Sequence, residues 1–283
     1  MKVSEWQLVL VCWGTKYGVN DINRSHAAAR RNSGRHVRTV LITDRERPRL
    51  SDGISAVPFP DAFKDEAFRG PGCQAKLAMF SDIVPDDMPA VFTDLDSLIL
   101  GDLADVLSDM WSETDLMILQ STLLPARSVT RALCRLTGGK VYARGNSSIV
   151  GYHPKHNRAI AARFLESYRQ FGMSFKPNRA DERFMSWVAQ DRLRFADPAK
   201  AVKFTREFMA MNVAHVLRRT ASAARRARRA RLLFVTLNQD VLKPDRLLKA
   251  EEGEVIRDRR GRTTEWSVAA LGPFRKVIQD YFA

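Results

Sequence analysis

The chain has 283 residues, 45% of them hydrophobic and 9% aromatic, enough to bury a core without disulfide or metal staples. Its 46 Lys and Arg against 32 Asp and Glu give a formal charge of +14, which favours anionic partners without choosing among nucleotide, lipid headgroup, polyanionic glycan and nucleic acid. Three scattered cysteines, Cys12, Cys73 and Cys134, form no C-x-x-C pair, which argues against a disulfide framework and a zinc site.

Residues 8–13, a continuous apolar run with β-branched side chains, predict a buried parallel strand. A helix is expected from about Asn20, capped by Asn20 or Asp21, to Arg31, with Gly34 closing it. A second strand, 37–43, ends at Asp44, so the chain opens as a βαβ unit. A short strand is expected over 54–60 and a helix over 74–81. Pro89 to Thr93 predicts a strand running straight into Asp94-Leu95-Asp96, and Gly101-Asp102-Leu103 a turn that starts another helix. Strands follow at 115–120 and 147–152, helices at 155–171 and 181–190. In the last third, 218–231 is Arg/Ala-rich and helix-prone, 232–237 reads as a strand, 251–262 as a charged loop or hairpin, and 268–282 as one closing helix. No repeat or long linker interrupts this order. It predicts one α/β domain over 1–283, with a nucleotide-binding half over about 1–120 and an acceptor half over about 121–283.

The polar start and the shortness of the first apolar run offer neither a secretory signal nor a membrane span, so a cytoplasmic location is expected. The arginines between Arg218 and Arg231 could touch anionic lipid at the inner face of a membrane, bind nucleic acid, or form a solvated helix face. No zinc-finger or RNA-recognition motif accompanies them, which weighs against nucleic acid. The five histidines make no zinc spacing.

A D-x-D alone is weak in a chain with 21 aspartates, but its context strengthens it. Two carboxylates at the carboxyl end of a strand suit Mn2+ or Mg2+, hard cations that prefer oxygen, where ligands bind in open α/β sheets. The bland reading is an Asx turn and a helix cap. A third is a phosphatase of the haloacid dehalogenase type, with the pair as nucleophile and acid/base; a whole βαβ unit precedes the pair here, against that pattern.

The order Trp13-Gly14-Thr15-Lys16-Tyr17-Gly18, Lys76-Leu77-Ala78-Met79-Phe80, Phe92-Thr93-Asp94-Leu95-Asp96 and Gly145-Asn146-Ser147-Ser148 resembles bacterial GT-A-fold glycosyltransferases with a D-x-D motif. These are distantly similar to the glycogenin and lipopolysaccharide galactosyltransferase group. The resemblance covers residues 7–206 and, more faintly, the rest. It implies a Rossmann-like, mostly parallel central sheet flanked by helices, with a C-terminal helical elaboration. It implies transfer of a sugar from a nucleotide-sugar donor, of which a UDP-sugar is the first choice, to a glycan, lipid or protein acceptor.

Carried over residue by residue, Trp13, Gly14, Thr15, Lys16 and Tyr17 would hold the base and ribose, with Asp44 near the base edge. Lys76 would face the donor, Asp94 and Asp96 the metal and ribose, and Asn146 and Ser147 the donor sugar. Lys203 and Arg206 would meet the diphosphate. Asp181 and Glu182 would lie beside the reacting carbon, as candidate general bases if the enzyme inverts and not needed as such if it retains. Two departures stand out. The family's C-terminal Phe-His-Gly is matched only by Val235-Thr236-Leu237-Asn238-Gln239, leaving Asn238 or His215 as the candidates for a third ligand. The family's Asp-Gln pair is Asp-Glu here.

Overall fold

Seven consecutive buried residues, Trp6 to Cys12, follow exposed Glu5 in the first strand, so this strand needs cover on both faces. The computed structural model describes residues 3–120, 127–237 and 239–283. In chain order its strands are β1 (Glu5–Cys12), β2 (His36–Thr43), β3 (Ile54–Pro58), β4 (Ala90–Thr93), β5 (Ser97–Ile99), β6 (Leu116–Gln120), β7 (Gly145–Tyr152), β8 (Leu193–Phe195), β9 (Ala201–Lys203), β10 (Phe234–Thr236), β11 (Val255–Arg257) and β12 (Thr263–Glu265). The chain divides into two compact units, Met1–Leu95 with Leu103–Ala196, and Asp96–Asp102 with Asp197–Ala283.

The first unit holds a seven-stranded sheet in the order β3-β2-β1-β4-β7-β6-β8. β1 is parallel to β2 and β4, β2 to β3, and β6 to β8, while β7 runs antiparallel to β4 and β6. The sheet is therefore mostly parallel, as the sequence predicts. One core beside it is built on Phe63, Phe68, Phe164 and Phe184, whose rings meet edge-on, tilted or stacked at 5.2 to 6.1 Å.

The second unit pairs β10 with β5 and β9, and adds the hairpin of β11 and β12 in the charged stretch where a loop or hairpin is expected. Phe204, Phe208 and Phe274 stack in its core at 4.9 and 4.4 Å.

Several local expectations change. The first helix is Val19–Asn32, and its N-cap is Gly18, whose amide donates to Asp21 Oδ2 at 2.9 Å. Asp21 thus caps from inside the first turn rather than as the cap residue itself. Ser33, not Gly34, follows the helix. Residues Gln74–Phe80 form a 3-10 helix entered from left-handed Cys73 (φ 54°). The Arg/Ala-rich helix is two, Val213–Ala221 and Ala223–Arg229, separated by extended Ser222. The closing helix is also two, Val268–Leu271 and Phe274–Phe282, because Gly272 turns left-handed (φ 62°) and Pro273 cannot donate a hydrogen bond. Among the described residues no helix is long and apolar enough to cross a membrane.

The arginines of Ala223–Arg229 are not only a solvated face. Glu207, 1% exposed, is ion-paired to Arg225 at 3.3 Å, to Arg229 at 3.0 Å, and to Arg228. Three cations around one buried carboxylate pin this helix to the second unit's core.

Candidate active site

In the first unit the D-x-D strand is covered by the 3-10 helix that carries Lys76. Just before that helix, Gly72 lies against the backbone of Arg179, where a Cβ would sit 2.3 Å from the Arg179 carbonyl oxygen. Its own carbonyl accepts the Asp181 amide at 2.9 Å, fixing the start of the helix Asp181–Val188. Lys76 Nζ lies 2.5 Å from Asp94 Oδ1 and 3.8 Å from Asp181 Oδ2, and 5.4 Å from the centre of the Phe92 ring. Burial would lower the Lys76 pKa, but the Asp94 and Asp181 carboxylates outweigh it and hold it above the usual lysine value.

Asp181 is 4% exposed and accepts from Ser147 Oγ at 2.7 Å and from the Glu182 amide at 2.6 Å. Burial pushes its carboxyl up to about 6; Lys76 pulls it down, and Glu182 and Asp94 push it up. Asn146 Nδ2 donates to Glu182 Oε2 at 3.0 Å, and the Asp94 amide donates to the Ser148 carbonyl at 3.0 Å. Six residues picked from the sequence, Lys76, Asp94, Asn146, Ser147, Asp181 and Glu182, thus form one network of hydrogen bonds and ion pairs at the carboxyl end of β4. Such a network presents one ammonium, three carboxylates and two neutral polar groups to anything bound there.

The loop after β1 is a second assembly of the same unit. Gly14 is left-handed (φ 65°), its amide donates to Asp44 Oδ2 at 3.1 Å, and its carbonyl accepts from Arg47 at 3.1 Å. Arg47 also donates to the Tyr17 carbonyl at 3.1 Å. Asp44 is ion-paired to Arg45, Arg47 and Arg69 at 3.1, 3.6 and 3.8 Å. Burial raises its pKa, but the hydrogen bonds from Arg45 and Gly14 and the charge of Arg69 hold it below the usual range. Asp44 therefore braces the loop. Thr15 and Lys16 remain exposed, and Trp13 packs partly buried against the core. Asp44, Arg45, Arg47, Lys64 and Arg69 also line a cavity of about 470 Å3 at the ends of β2 and β3.

In the second unit Asp96, 3% exposed, is ion-paired to Lys243, and its carbonyl accepts the Leu237 amide at 3.3 Å. Beside it Ser97 Oγ and Thr236 Oγ1, register partners of β5 and β10, are buried with no hydrogen-bond partner among the described residues. Lys203 ends β9, and Arg206 lines a cavity of about 290 Å3 with His215, Arg219 and Arg262. His215 is an exposed helix residue, and Asn238 lies outside the described residues. Among the described residues no group of three or more His, Cys, Asp and Glu side chains could hold a metal ion.

Sequence reasoning missed Arg47, Arg69, Glu207 and Lys243. Lys243 had no local signal, being 147 residues from the aspartate it pairs with. Arg47 could have been found as a cation three residues after Asp44.

No family model matches the chain, and no curated protein matches it in sequence. Solved structures do match in fold. The galactosyltransferase LgtC in complex with donor and acceptor sugar analogues superposes with a TM-score of 0.59 at 10% identity, over 98% of this chain and 95% of that one. An active-site glutamine-to-glutamate mutant of LgtC gives 0.58 at 11% identity, over 97% and 94%. The glycosyltransferase GlyE of Streptococcus pneumoniae TIGR4 gives 0.55 at 12% identity, over 97% of this chain and 60% of that one. The chain has the GT-A-like fold that its motifs imply.

Proposed function

We propose that this chain is a glycosyltransferase that moves a sugar from a nucleotide-sugar donor, with a UDP-sugar as first choice, to a glycan, lipid or protein acceptor. The observation that carries the reading is the buried network of Lys76, Asp94, Ser147 and Asp181 at the carboxyl end of β4, on a fold shared with solved glycosyltransferases.

Asp94 and Asp96 would hold Mn2+ or Mg2+. Both are carboxylates, the oxygen donors that a hard divalent cation prefers, and the cation would have to displace the ammonium of Lys76 from one and of Lys243 from the other. The bound cation would supply charge neutralisation to the departing diphosphate. The protein's own groups do the rest. The loop Trp13 to Tyr17, set by Asp44 and Arg47, would take the nucleoside. Asn146 and Ser147 would orient the donor sugar through its hydroxyls. Lys203 and Arg206 would add positive charge to the leaving group. Asp181, ionised above about pH 6, or Glu182 would accept the acceptor's proton if the anomeric centre inverts.

The pair follows the fourth strand, not the first, which weighs against a phosphatase of the haloacid dehalogenase type. A basic protein that keeps the fold without the chemistry is the second reading, favoured by the lysine on each aspartate. Hydrolysis and transfer from UDP-sugars, measured with and without Mn2+ in the wild type and in Asp96→Ala, separates them. Metal-dependent turnover lost in the variant supports the enzyme; donor binding and turnover that ignore metal in both proteins defeat the metal-dependent reading.

A further inference from the structure

The second unit contains a cavity of about 610 Å3 walled by the helix Ala223–Arg229 and the helix Phe274–Phe282. This is within the range of about 300–1,000 Å3 typical of sites for small organic ligands. Protein interiors are close-packed, and a slot this size persists only where side chains are too short to fill it. Here the short ones are Ala227 and Ala230, three apart on one wall, facing Leu271, Phe274 and Val277 on the other, with Leu232 and Leu100 also lining it. Leu232, Leu271 and Phe274 are 4, 1 and 6% exposed, so the inner lining is dry and apolar, while Ala227 and Ala230 are exposed and leave the mouth open.

Among the described residues the charged ones in that lining are Arg226 and Arg229. Arg229 is buried and held by Glu207, which Arg225 and Arg228 share, and by the Thr220 hydroxyl. Arg226 is exposed, and its guanidinium donates to the Thr220 and Ala221 carbonyls at 3.1 and 2.5 Å, neither of which cancels its charge. An apolar slot with a cation at its entrance is complementary to an amphiphile with an anionic head and a hydrocarbon tail.

We propose that this cavity takes one acyl chain of an anionic phospholipid from a bilayer, with Arg226 meeting the headgroup phosphate. The site adds apolar burial to what the arginines alone offer a negatively charged surface.

The test uses the full chain and vesicles of phosphatidylglycerol with phosphatidylcholine. Ala227→Phe with Ala230→Phe fills the slot and leaves every charge in place. Expected is an about tenfold weaker partition onto the vesicles, with retention on a heparin column, which reads charge alone, unchanged. Equal partition of filled variant and wild type would overturn the proposal, since surface charge would then explain all binding. Wild-type chain exposed to phosphatidylglycerol carrying a photoactivatable group in its acyl chain gives a readout independent of the variant's folding. Label should fall within 227–232 and 271–277. Label confined to other peptides, no label, or label blocked because two copies of the chain cover the site would each overturn it.

Discussion

Lys76 Nζ lies 2.5 Å from Asp94 Oδ1 and 3.8 Å from Asp181 Oδ2, so one ammonium, 12% exposed, joins a carboxylate at the end of β4 to one on the first turn of the helix Asp181–Val188. Lys76→Met leaves both without their cation. Breaking a buried pair from one side costs about 3–5 kcal/mol, so the midpoint of urea unfolding should fall accordingly. A midpoint that stays put would mean that water screens the pair.

Asp181 provides a pH signature. Its folded pKa of about 6 exceeds the ordinary 3.8, so between these values the folded chain binds more protons than the unfolded one. The stability it contributes is fully present below about pH 4 and is lost as pH rises through about 6. Asp181→Asn should therefore unfold like the wild type at about pH 4 and be more stable by up to about 3 kcal/mol at about pH 7.5. The reverse order in paired urea titrations would refute the assignment of burial as the dominant cause. The same substitution should abolish transfer if Asp181 is the base.

Gly72→Ala drives a methyl group toward the Arg179 carbonyl, 2.3 Å from its ideal position. Overpacking of this kind costs about 1–3 kcal/mol. Because the Gly72 carbonyl holds the Asp181 amide, activity should fall further than stability, by about tenfold or more. Comparing kcat with Tm in this variant checks the order of the two effects.

Lys243→Met removes the ammonium from Asp96. With that competitor gone, Mn2+ in the absence of nucleotide should bind about tenfold tighter, a change of about 1.4 kcal/mol. Free Mn2+ measured by electron paramagnetic resonance reads this directly. Unchanged affinity would argue that Asp96 is not a metal ligand.

Glu207→Gln leaves Arg229, 8% exposed, without its counter-ion and weakens the hold on Arg225 and Arg228. A loss of about 3–5 kcal/mol is expected. Amide hydrogen exchange should accelerate across 204–229, and protection unchanged there would count against the pinning role.

The strands that carry the candidate site were legible because burial on both faces writes itself as unbroken apolar runs, as in Leu8 to Cys12 and Ala90 to Phe92. The D-x-D and the residues Lys76, Ser147 and Asp181 were legible as motifs, and the fold brings three of the four motif stretches onto one network. What stayed hidden depends on distance in the chain. The three-residue strand β5 has too little periodicity to register, and its partner β10 is more than a hundred residues away. Glu207 and the arginines it collects looked like surface charge because local sequence does not report burial. The helix breaks at Ser222 and at Gly272-Pro273 were overridden by apolar and cationic spacing that continues across them.

The peptide bond from Leu95 to Asp96 carries the chain out of the first unit for a brief excursion, Asp96–Asp102, before it returns at Leu103. That excursion supplies β5, whose ladder partner Phe234–Thr236 leaves the ribosome much later. During synthesis the stretch holding Asp96 must wait, unpaired, until most of the polypeptide exists, whereas the strands of β1 to β4 can assemble early. A transcript cut short before codon 234 would therefore yield a product holding all seven strands of its large sheet, yet with the second acid of the motif on an unanchored segment.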